Sequence, residues 1–485
     1  MAETLKEKTA KGLFWGALNN GAMQFVGLVF GIVLGRLLTP GDYGLISMIT
    51  IFTVTATALQ DSGFSTAIVN MDHPRDEDYN SVFWFNILTS FALYTLLFFS
   101  APLIAWYYDK PCLVALSRYV FLCFVFSSFG MAHSAYLQKN LMVKQRAKSN
   151  IISVLISSTV GVVMAWRGFA YWSLATQTNV YVFVNMLFYW HYSRWRPTLH
   201  IDFGPIRHMF RFSCKIVATT IVQQVNNNIL NILLGRYYSA RSAGLYNQAY
   251  QWNSKAIYLM QSMVGAVSQP VLVDLRSDAE RQLAALRKLV RFTAFLSFPL
   301  LLGFGLVAKE FIVLTITAKW LASARLLQIL CIGGAFLPLG SLLSSFIISE
   351  GKSGAYLWST VLLCLVQIGM MFLAYRWGVT LMVVCIVIIN IVWTFVWFGL
   401  VHRLVAYSLM MFLKDFVPFM LAALGTMIAT SVVTMSITSL WLLLLVRIFV
   451  AAVIYYAVMR LARVKMLTEC QQFLLSKIRK HPHKK

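Results

Sequence analysis

The sequence has 485 residues and a formal net charge of +24, yet only 12% of its residues are charged and 59% are hydrophobic. A soluble domain carries about 25% charged residues, so this composition excludes an ordinary soluble protein and indicates a polytopic membrane protein. The basic residues lie in short loops between apolar segments. That distribution follows the positive-inside rule and argues against a nucleic-acid partner.

Long apolar segments predict an all-α fold, because a helix needs about 20 apolar residues to cross a bilayer. The first segment follows "KEKTAK" and is too long for the apolar region of a cleavable signal peptide, which predicts a retained span. In chain order, fourteen spans are predicted near residues 12–35, 44–69, 81–104, 113–136, 150–166, 170–191, 213–235, 244–267, 291–308, 323–348, 355–375, 379–401, 416–436 and 440–461.

The distribution of lysine and arginine predicts the orientation of these spans. With the N-terminal side taken as inside, the inside loops and tail hold 29 of these residues and the opposite loops hold 10. Since cytoplasmic loops carry the excess of basic residues, both termini are predicted to be cytoplasmic. The connection at 272–292 is amphipathic at helical spacing, which predicts a helix lying on the inner leaflet. A binding site for a calmodulin-like partner is the alternative there.

An internal repeat is visible in "LGRLLTPGDYGL" (34–45) and "LGRYYSARSAGL" (234–245), which match at an offset of 200 residues. Each copy follows a span rich in Asn and Gln and begins a hairpin into the next span. Both copies have the same orientation, so the halves are predicted to be parallel repeats around a central cavity. The predicted divisions are a first six-helix lobe (1–192), a cytoplasmic linker (193–212), a second six-helix lobe (213–402), two extra helices (403–462) and a basic tail (463–485).

Polar residues within the predicted spans are the candidate binding residues. Lys255 lies near the middle of the eighth span, where an ammonium costs about 2.5–3.5 kcal/mol on insertion scales. Asn247 and Gln251 precede it at helical spacing, and Asn227 lies in the amide-rich seventh span. These amides either line the cavity or hydrogen-bond between helices.

Each of the other charged residues within or at the ends of the predicted spans has two interpretations. Arg36, Arg236 and Arg447 either contribute to the cavity or extend to the membrane surface. Asp61, in the second span, is either a site of ion coupling or a structural counter-ion to Lys255. A cavity with more cations than anions predicts an anionic substrate, and a phosphate or diphosphate would keep the lysine charged. The seven cysteines include no C-x-x-C pair, so neither a disulfide framework, a metal site nor a cofactor is predicted.

The chain resembles the polysaccharide transport branch of the multidrug/oligosaccharidyl-lipid/polysaccharide flippase superfamily. More narrowly, it is similar to the O-antigen, capsule and exopolysaccharide repeat-unit flippases, including the colanic acid exporter type. The resemblance rests on "LKEKTAKGLFWGALNN" (5–20), "LGRLLTPGDYGLISM" (34–48), "DSGFSTAIV" (61–69), "YLQKNLMVKQ" (136–145), "LLGRYYSARSAGLYNQAY" (233–250) and "AKWLASARLLQILC" (318–331).

The resemblance implies an inner-membrane exporter that carries undecaprenyl-diphosphate-linked oligosaccharides outward by alternating access. It implies a cationic cavity to which Lys255 corresponds best, with Arg36, Arg236 and Arg447 as helpers. Lipopolysaccharide or exopolysaccharide synthesis would be the pathway, and a polysaccharide polymerase or other assembly machinery would be a partner.

Three alternatives remain at this point. A peptidoglycan-precursor flippase or a multidrug antiporter belongs to the same superfamily, although an exporter of cations should have more cavity carboxylates than Asp61 alone. A polymerase, ligase or membrane glycosyltransferase would need a large outer loop or an acidic pair at the interface, and the sequence predicts neither. A scaffold of the assembly machinery would not need an intramembrane lysine.

Overall fold

A computed structural model describes the backbone of residues 5–61, 64–199, 204–274, 278–464 and 466–468. It describes the side chains of residues 14–60, 67–199, 204, 220–265, 278, 280–464 and 466–468. Within these residues the secondary structure is helical, with no β-strand, as the sequence predicts. The chain divides into two compact units, residues Met1–Asn247 and Gln248–Lys485.

The first unit contains nine complete helices and the start of a tenth. They are α1 (Leu5–Leu37), α2 (Pro40–Asp61), α3 (Phe64–Asn70), α4 (Asp76–Tyr108), α5 (Cys112–Val120), α6 (Leu122–Lys139), α7 (Val143–Trp166), α8 (Trp172–Tyr192), α9 (Gly204–Tyr237) and α10 (Ala240–Asp274).

Most of α10 and the remaining helices belong to the second unit. The helices that follow α10 are α11 (Ala279–Leu306), α12 (Ala308–Ile316), α13 (Leu321–Gly334), α14 (Leu337–Ser349), α15 (Ser353–Ala374), α16 (Val379–His402), α17 (Leu409–Val433) and α18 (Leu440–Leu461). Short 3₁₀ turns precede α13 and α16.

Eleven stretches of the described residues are helical, long and apolar enough to cross a membrane, and each overlaps a predicted span. The sixth, seventh and eighth predicted spans coincide with α8, α9 and α10, which are helical but lie outside those eleven. Their amides lower the apolar content, most of all in α9, which includes three consecutive asparagines at 226–228. Eleven of the predicted spans therefore coincide with helices long and apolar enough to cross a membrane, and the count of fourteen stays a prediction.

Local sequence explains how several helices begin and end. The split between α7 and α8 occurs at Gly168, whose φ of +86° favours glycine. The fourth predicted span is divided at Phe121 into α5 and α6, and the tenth is divided into α13 and α14. Of the helix predicted to lie on the inner leaflet at 272–292, the part from Ala279 onward is continuous with the ninth span, because α11 runs unbroken from that residue. Residues 275–277 lie outside the described part of the chain.

The two copies of the repeat begin their second helices with the same kind of cap. At Thr39, the backbone N–H and the hydroxyl donate to Asp42 Oδ2 at 2.9 and 2.6 Å, and Pro40 occupies the first helical position. At the equivalent position, Ser239 Oγ accepts from the Ser242 backbone N–H at 3.1 Å. The repeated sequence thus forms repeated local structure.

The core of the second unit combines α10, α11, α14, α16, α17 and α18. Phe298, Phe346 and Phe412 are fully buried there. Large apolar side chains on other faces of these helices are exposed, including Leu461 at 82% and Phe449 at 71%. So many exposed large apolar side chains are unusual for a soluble protein, so these faces are suited to lipid.

Candidate functional site

Lys255 lies on α10 and is half-buried. Its Nζ lies 4.4 Å from the centroid of the Trp252 ring, one turn earlier on the same helix. Trp252 is only 4% exposed and packs edge-on against Phe311 of α12, with ring centroids 4.9 Å apart. The aromatic face therefore attracts the ammonium, and its position is fixed by packing from the other side.

No carboxylate among the described residues forms an ion pair with Lys255, although several other basic side chains do have such partners. Two amides near it are also buried. Gln248 and Asn253 are each 3% exposed, and Gln248 Oε1 and Asn253 Oδ1 have no hydrogen-bond partner within the described part of the chain. Unsatisfied buried polar atoms cost about 1–3 kcal/mol each, so the Lys255 region is energetically expensive for folding alone.

A glycine of α13 leaves space for the buried amide of Asn253 on α10. A Cβ built on Gly334 at the end of α13 would lie 2.7 Å from Asn253 Oδ1 and 3.3 Å from Ile257 Cδ1. Only a residue without a side chain lets α13 approach α10 this closely.

The amide side chains predicted to bind substrate lie on α10 and on the preceding helix, α9. Asn247, Gln251 and Lys255 recur every four residues on α10, so they share a helix face. Gln251 is exposed and Asn247 is partly buried. Asn227 is exposed on α9.

Arg36 and Arg236 occupy equivalent places in the last turns of α1 and α9, and both are exposed. Arg236 donates to the Tyr107 backbone carbonyl and lies 5.3 Å from the centroid of the Tyr107 ring. Cations near a helix C-terminus also interact favourably with the helix dipole. These contacts fit an interfacial role as well as a role in binding.

Arg447, on α18, forms an ion pair that sequence reasoning missed. Its Nη1 lies 3.0 Å from Glu310 Oε1, its Nε donates to Thr434 Oγ1 at 3.2 Å, and Nη1 also donates to the Leu306 carbonyl at 3.3 Å. Glu310 is 3% exposed at the start of α12, in a segment predicted as an outer loop. The positive charge of Arg447 is therefore balanced by a buried carboxylate.

Asp415, on α17, is a second buried carboxylate that the sequence did not reveal. It is 1% exposed and accepts from Arg287 Nε at 2.8 Å and from Arg291 Nε at 2.6 Å. Tyr407 Oη donates to the same carboxylate at 3.0 Å. Burial, with the neighbouring Asp415 carboxylate, raises the pKa of Tyr407, which lies between two spans. The predicted ion-coupling residue, Asp61, is the last residue of α2, and its side chain lies outside the described residues.

The two copies of the repeat meet through their glycines. A Cβ on Gly44 would lie 1.7 Å from the Ala240 carbonyl oxygen, and a Cβ on Gly244 would lie 1.8 Å from the Pro40 carbonyl oxygen. The starts of α2 and α10 therefore approach backbone to backbone, in a reciprocal contact. The shared Gly-Leu of the repeat has a structural reason that the sequence alone did not show.

The helical fold and the polar membrane-embedded helices define a multi-span membrane protein with the architecture of known lipid and drug transporters. Over 92% of this chain and 99% of the other, the fold matches the "Lipid II flippase MurJ, inward closed conformation" with a TM-score of 0.71 at 14% identity. It matches an inward-facing "multidrug resistance MATE family transporter of the MOP superfamily" with a TM-score of 0.63 at 16% identity, over 78% and 93% of the two chains. These likenesses concern the fold.

Residues 33–325 match the family described as "Polysaccharide biosynthesis protein", and the chain belongs to that family. The chain is 26% identical to the "Teichuronic acid biosynthesis protein TuaB" of Bacillus subtilis (strain 168), over 75% of this chain and 76% of the relative. It is also 26% identical to the "Lipopolysaccharide biosynthesis protein WzxC" of Escherichia coli (strain K12), over 72% and 71%. The "Succinoglycan biosynthesis transport protein ExoT" of Rhizobium meliloti (strain 1021) is 22% identical, over 87% and 83%. The predicted resemblance is confirmed.

Proposed function

We propose that this protein transports undecaprenyl-diphosphate-linked oligosaccharide repeat units from the inner to the outer leaflet of the bacterial inner membrane. It would serve the synthesis of an O-antigen, capsule or exopolysaccharide. The observation that carries the proposal is Lys255, a half-buried cation that pairs with no described carboxylate and lies among buried amides with unused acceptors. A lipid diphosphate supplies the negative charge that no described carboxylate provides there.

The proposal includes the architecture predicted from the sequence. It comprises fourteen spans, two parallel six-helix lobes around a central cavity, two extra helices and cytoplasmic termini. Lys255 is its main substrate-binding residue, with Asn247, Gln251, Asn227, Arg36 and Arg236 as further contacts. Arg447 is the least supported of the proposed substrate contacts, because Glu310 already balances its charge.

The membrane potential favours this direction of transport. The cytoplasm is electrically negative, so moving an anionic diphosphate outward gains about 2.3 kcal/mol per charge per 100 mV. Cations that remain in the protein during transport preserve this gain. Coupling to a proton or Na⁺ through Asp61 would be additional.

Two related functions are the alternatives to this proposal, and charge argues against only one of them. A peptidoglycan-precursor flippase would also bind a lipid diphosphate, and the fold likeness to MurJ keeps it as the second candidate. A multidrug antiporter for cations should favour carboxylates in its cavity, whereas the candidate site of this chain contains Lys255. The relatives named for polysaccharide synthesis and transport favour the first function over both.

Replacement of Lys255 tests the proposal in a strain that lacks the chromosomal copy. Lys255→Ala should insert normally and abolish surface polymer, while lipid-linked repeat units accumulate inside. Lys255→Arg should retain part of the activity, because it keeps the charge and changes the shape. Lys352→Ala removes an exposed lysine at the N-terminus of α15 and should leave export unchanged. Full export by a well-expressed Lys255→Ala protein would refute the assigned role.

A further inference from the structure

A polar pocket of about 230 Å³ lies within the first unit, between α6 and α8. We call it the hydroxyl pocket; its described lining consists of Ser127, Gly130, Met131 and Ser134 of α6, and Tyr181, Val182, Asn185, Met186 and Tyr189 of α8. Its volume is below the range of about 300–1,000 Å³ that sites for drug-sized ligands occupy. The pocket is therefore suited to a single small ring.

The polar side chains that α8 contributes to the hydroxyl pocket share one face of that helix. Tyr181, Asn185 and Tyr189 recur every four residues, so they lie one above another. A step of two residues leads to the far side of a helix, where the apolar side chains of Phe183 and Leu187 are exposed. Those two side chains are suited to lipid, so the polar face of α8 is turned away from lipid.

A hydrogen-bond network behind the hydroxyl pocket holds two of these side chains in place. Asn185 Nδ2 and Tyr189 Oη donate to Asn150 Oδ1 of α7 at 3.1 and 3.0 Å. Asn150 Nδ2 in turn donates to Asn19 Oδ1 of α1 at 3.3 Å. The network joins three helices, so it positions the pocket wall before any ligand binds.

Hydrogen-bonding capacity remains unused at the hydroxyl pocket. Asn185 is 9% exposed, and its Oδ1 accepts no hydrogen bond from any described residue. Such a buried acceptor costs stability unless another group donates to it. Ser127, Ser134 and Tyr181 add hydroxyls, each of which can donate and accept. The wall therefore offers both donors and acceptors to a ligand.

The chemistry of the wall separates three classes of ligand. The nine described lining residues are uncharged, so an anion would gain no ion pair from them. A hydrocarbon chain would leave their hydroxyls and the Asn185 amide without partners, which is costly. A sugar ring has hydroxyls that donate and accept, and its C–H faces pack against aromatic rings such as those of Tyr181 and Tyr189. A sugar ring therefore fits the pocket best.

We propose that the hydroxyl pocket binds one sugar residue of the lipid-linked oligosaccharide, an inference that rests on the proposed function. Lys255 would bind the charged diphosphate, and the hydroxyl pocket would bind part of the glycan. Each part of the substrate is then recognised by different chemistry. Substitutions in the pocket should change the preference for the glycan without changing capture of the diphosphate.

Native mass spectrometry of the purified full-length protein tests this site with two probes. One is undecaprenyl diphosphate, and the other is the undecaprenyl-diphosphate-linked repeat unit extracted from the bacterium that makes the protein. The wild type should retain the glycosylated lipid in preference to the lipid without sugar. Tyr181→Phe with Ser134→Ala should reduce this preference about three- to tenfold, because hydrogen bonds to the sugar are lost. Binding of undecaprenyl diphosphate should stay unchanged.

Two further comparisons separate the glycan from the diphosphate. Tyr94→Phe with Ser100→Ala is the matched control, since it removes the same two groups from α4, outside the pocket, and Ser100 Oγ donates to the Leu96 carbonyl of its own helix. This control should keep the wild-type preference. Lys255→Ala should weaken the binding of both lipids alike. Tyr181→Phe alone tests the pocket if the double variant is unstable.

A wild-type preference for the glycosylated lipid in a folded pocket variant would overturn the proposal. Equal loss of both lipids in that variant would also overturn it, as would a wild type that shows no preference. These results would leave the proposed function standing, because the wild type would still bind both lipids. Retention of neither lipid by the wild type would contradict the proposed function, and the glycan site with it.

Discussion

Arginine side chains of α11 and α18 form ion pairs with buried carboxylates, whereas Lys255 on α10 forms none with any described carboxylate. Asp415 and Glu310 are almost completely buried, and each is bonded to arginine. Lys255 has an aromatic neighbour and no described carboxylate partner. A buried charge with a matched partner holds helices together, whereas a cation without one is a candidate for binding an anion from outside the protein.

This comparison predicts which substitutions destabilise the fold and which impair function alone. Removing one partner from a buried pair leaves an uncompensated charge, which is costly. Removing a cation that has no ion-pair partner leaves nothing uncompensated. The expected loss of stability is therefore largest for substitution of Asp415 and smallest for substitution of Lys255.

The largest expected effect on stability follows Asp415→Asn. Two arginines would face each other without their carboxylate, and the free energy of unfolding should fall by about 3 kcal/mol, the low end for buried pairs, because both arginines reach solvent. Thermal unfolding in detergent measures it. Asp278→Asn is the matched control, since Asp278 pairs with Arg281 at an exposed site and asparagine still caps α11. Equal losses in the two variants would contradict the structural role of Asp415.

A smaller loss is expected for Glu310→Gln, which leaves Arg447 only neutral partners. The expected cost is about 2 kcal/mol, because Thr434 and the Leu306 carbonyl still accept from the guanidinium. A double-mutant cycle with Arg447→Met should give a coupling energy of about 1–3 kcal/mol. Additive losses in the cycle would show that the two side chains do not depend on each other.

The reciprocal glycine contact predicts the next effect. Gly244→Ala places a Cβ 1.8 Å from the Pro40 carbonyl oxygen, so the starts of α2 and α10 must separate. Overpacking of this kind costs about 1–3 kcal/mol, and export should fall with it. Gly21→Ala is the control, since nothing lies within 4 Å of its Cβ and alanine favours the helix. If the two alanine variants melt alike, the contact does not constrain the fold.

The smallest effect on stability is expected for Lys255→Met. It removes a cation–π contact worth about 0.5–1 kcal/mol and also relieves the burial of an ammonium, so thermal unfolding should barely change. Export should nevertheless be lost. A fall in stability as large as that of Asp415→Asn would instead make Lys255 a structural residue and remove the contrast between the two regions.

The local sequence pattern was sufficient to predict the helices, because helix formation depends on residues that are close together in the sequence. Apolar length predicted eleven spans that coincide with long apolar helices. The gap between the spans predicted at 150–166 and 170–191 lies where α7 ends and α8 begins, near Gly168 with its positive φ. Arg287 and Asp415 are 128 residues apart, and Arg447 and Glu310 are 137 apart, so no periodicity links them. Glu310 was read as part of an outer loop because its helix, α12, has only 9 residues and is too short to be recognised as a span.

The sequence by itself determined a helical membrane protein, its repeat, its family and the unusual position of Lys255. These follow from composition, spacing and order, which are properties of the chain. Only the tertiary structure decided which charges have partners, because pairing depends on which helices pack together. It showed that Arg447 is balanced by Glu310, that Asp415 pairs with Arg287 and Arg291, and that Gly44 and Gly244 bring two backbones together.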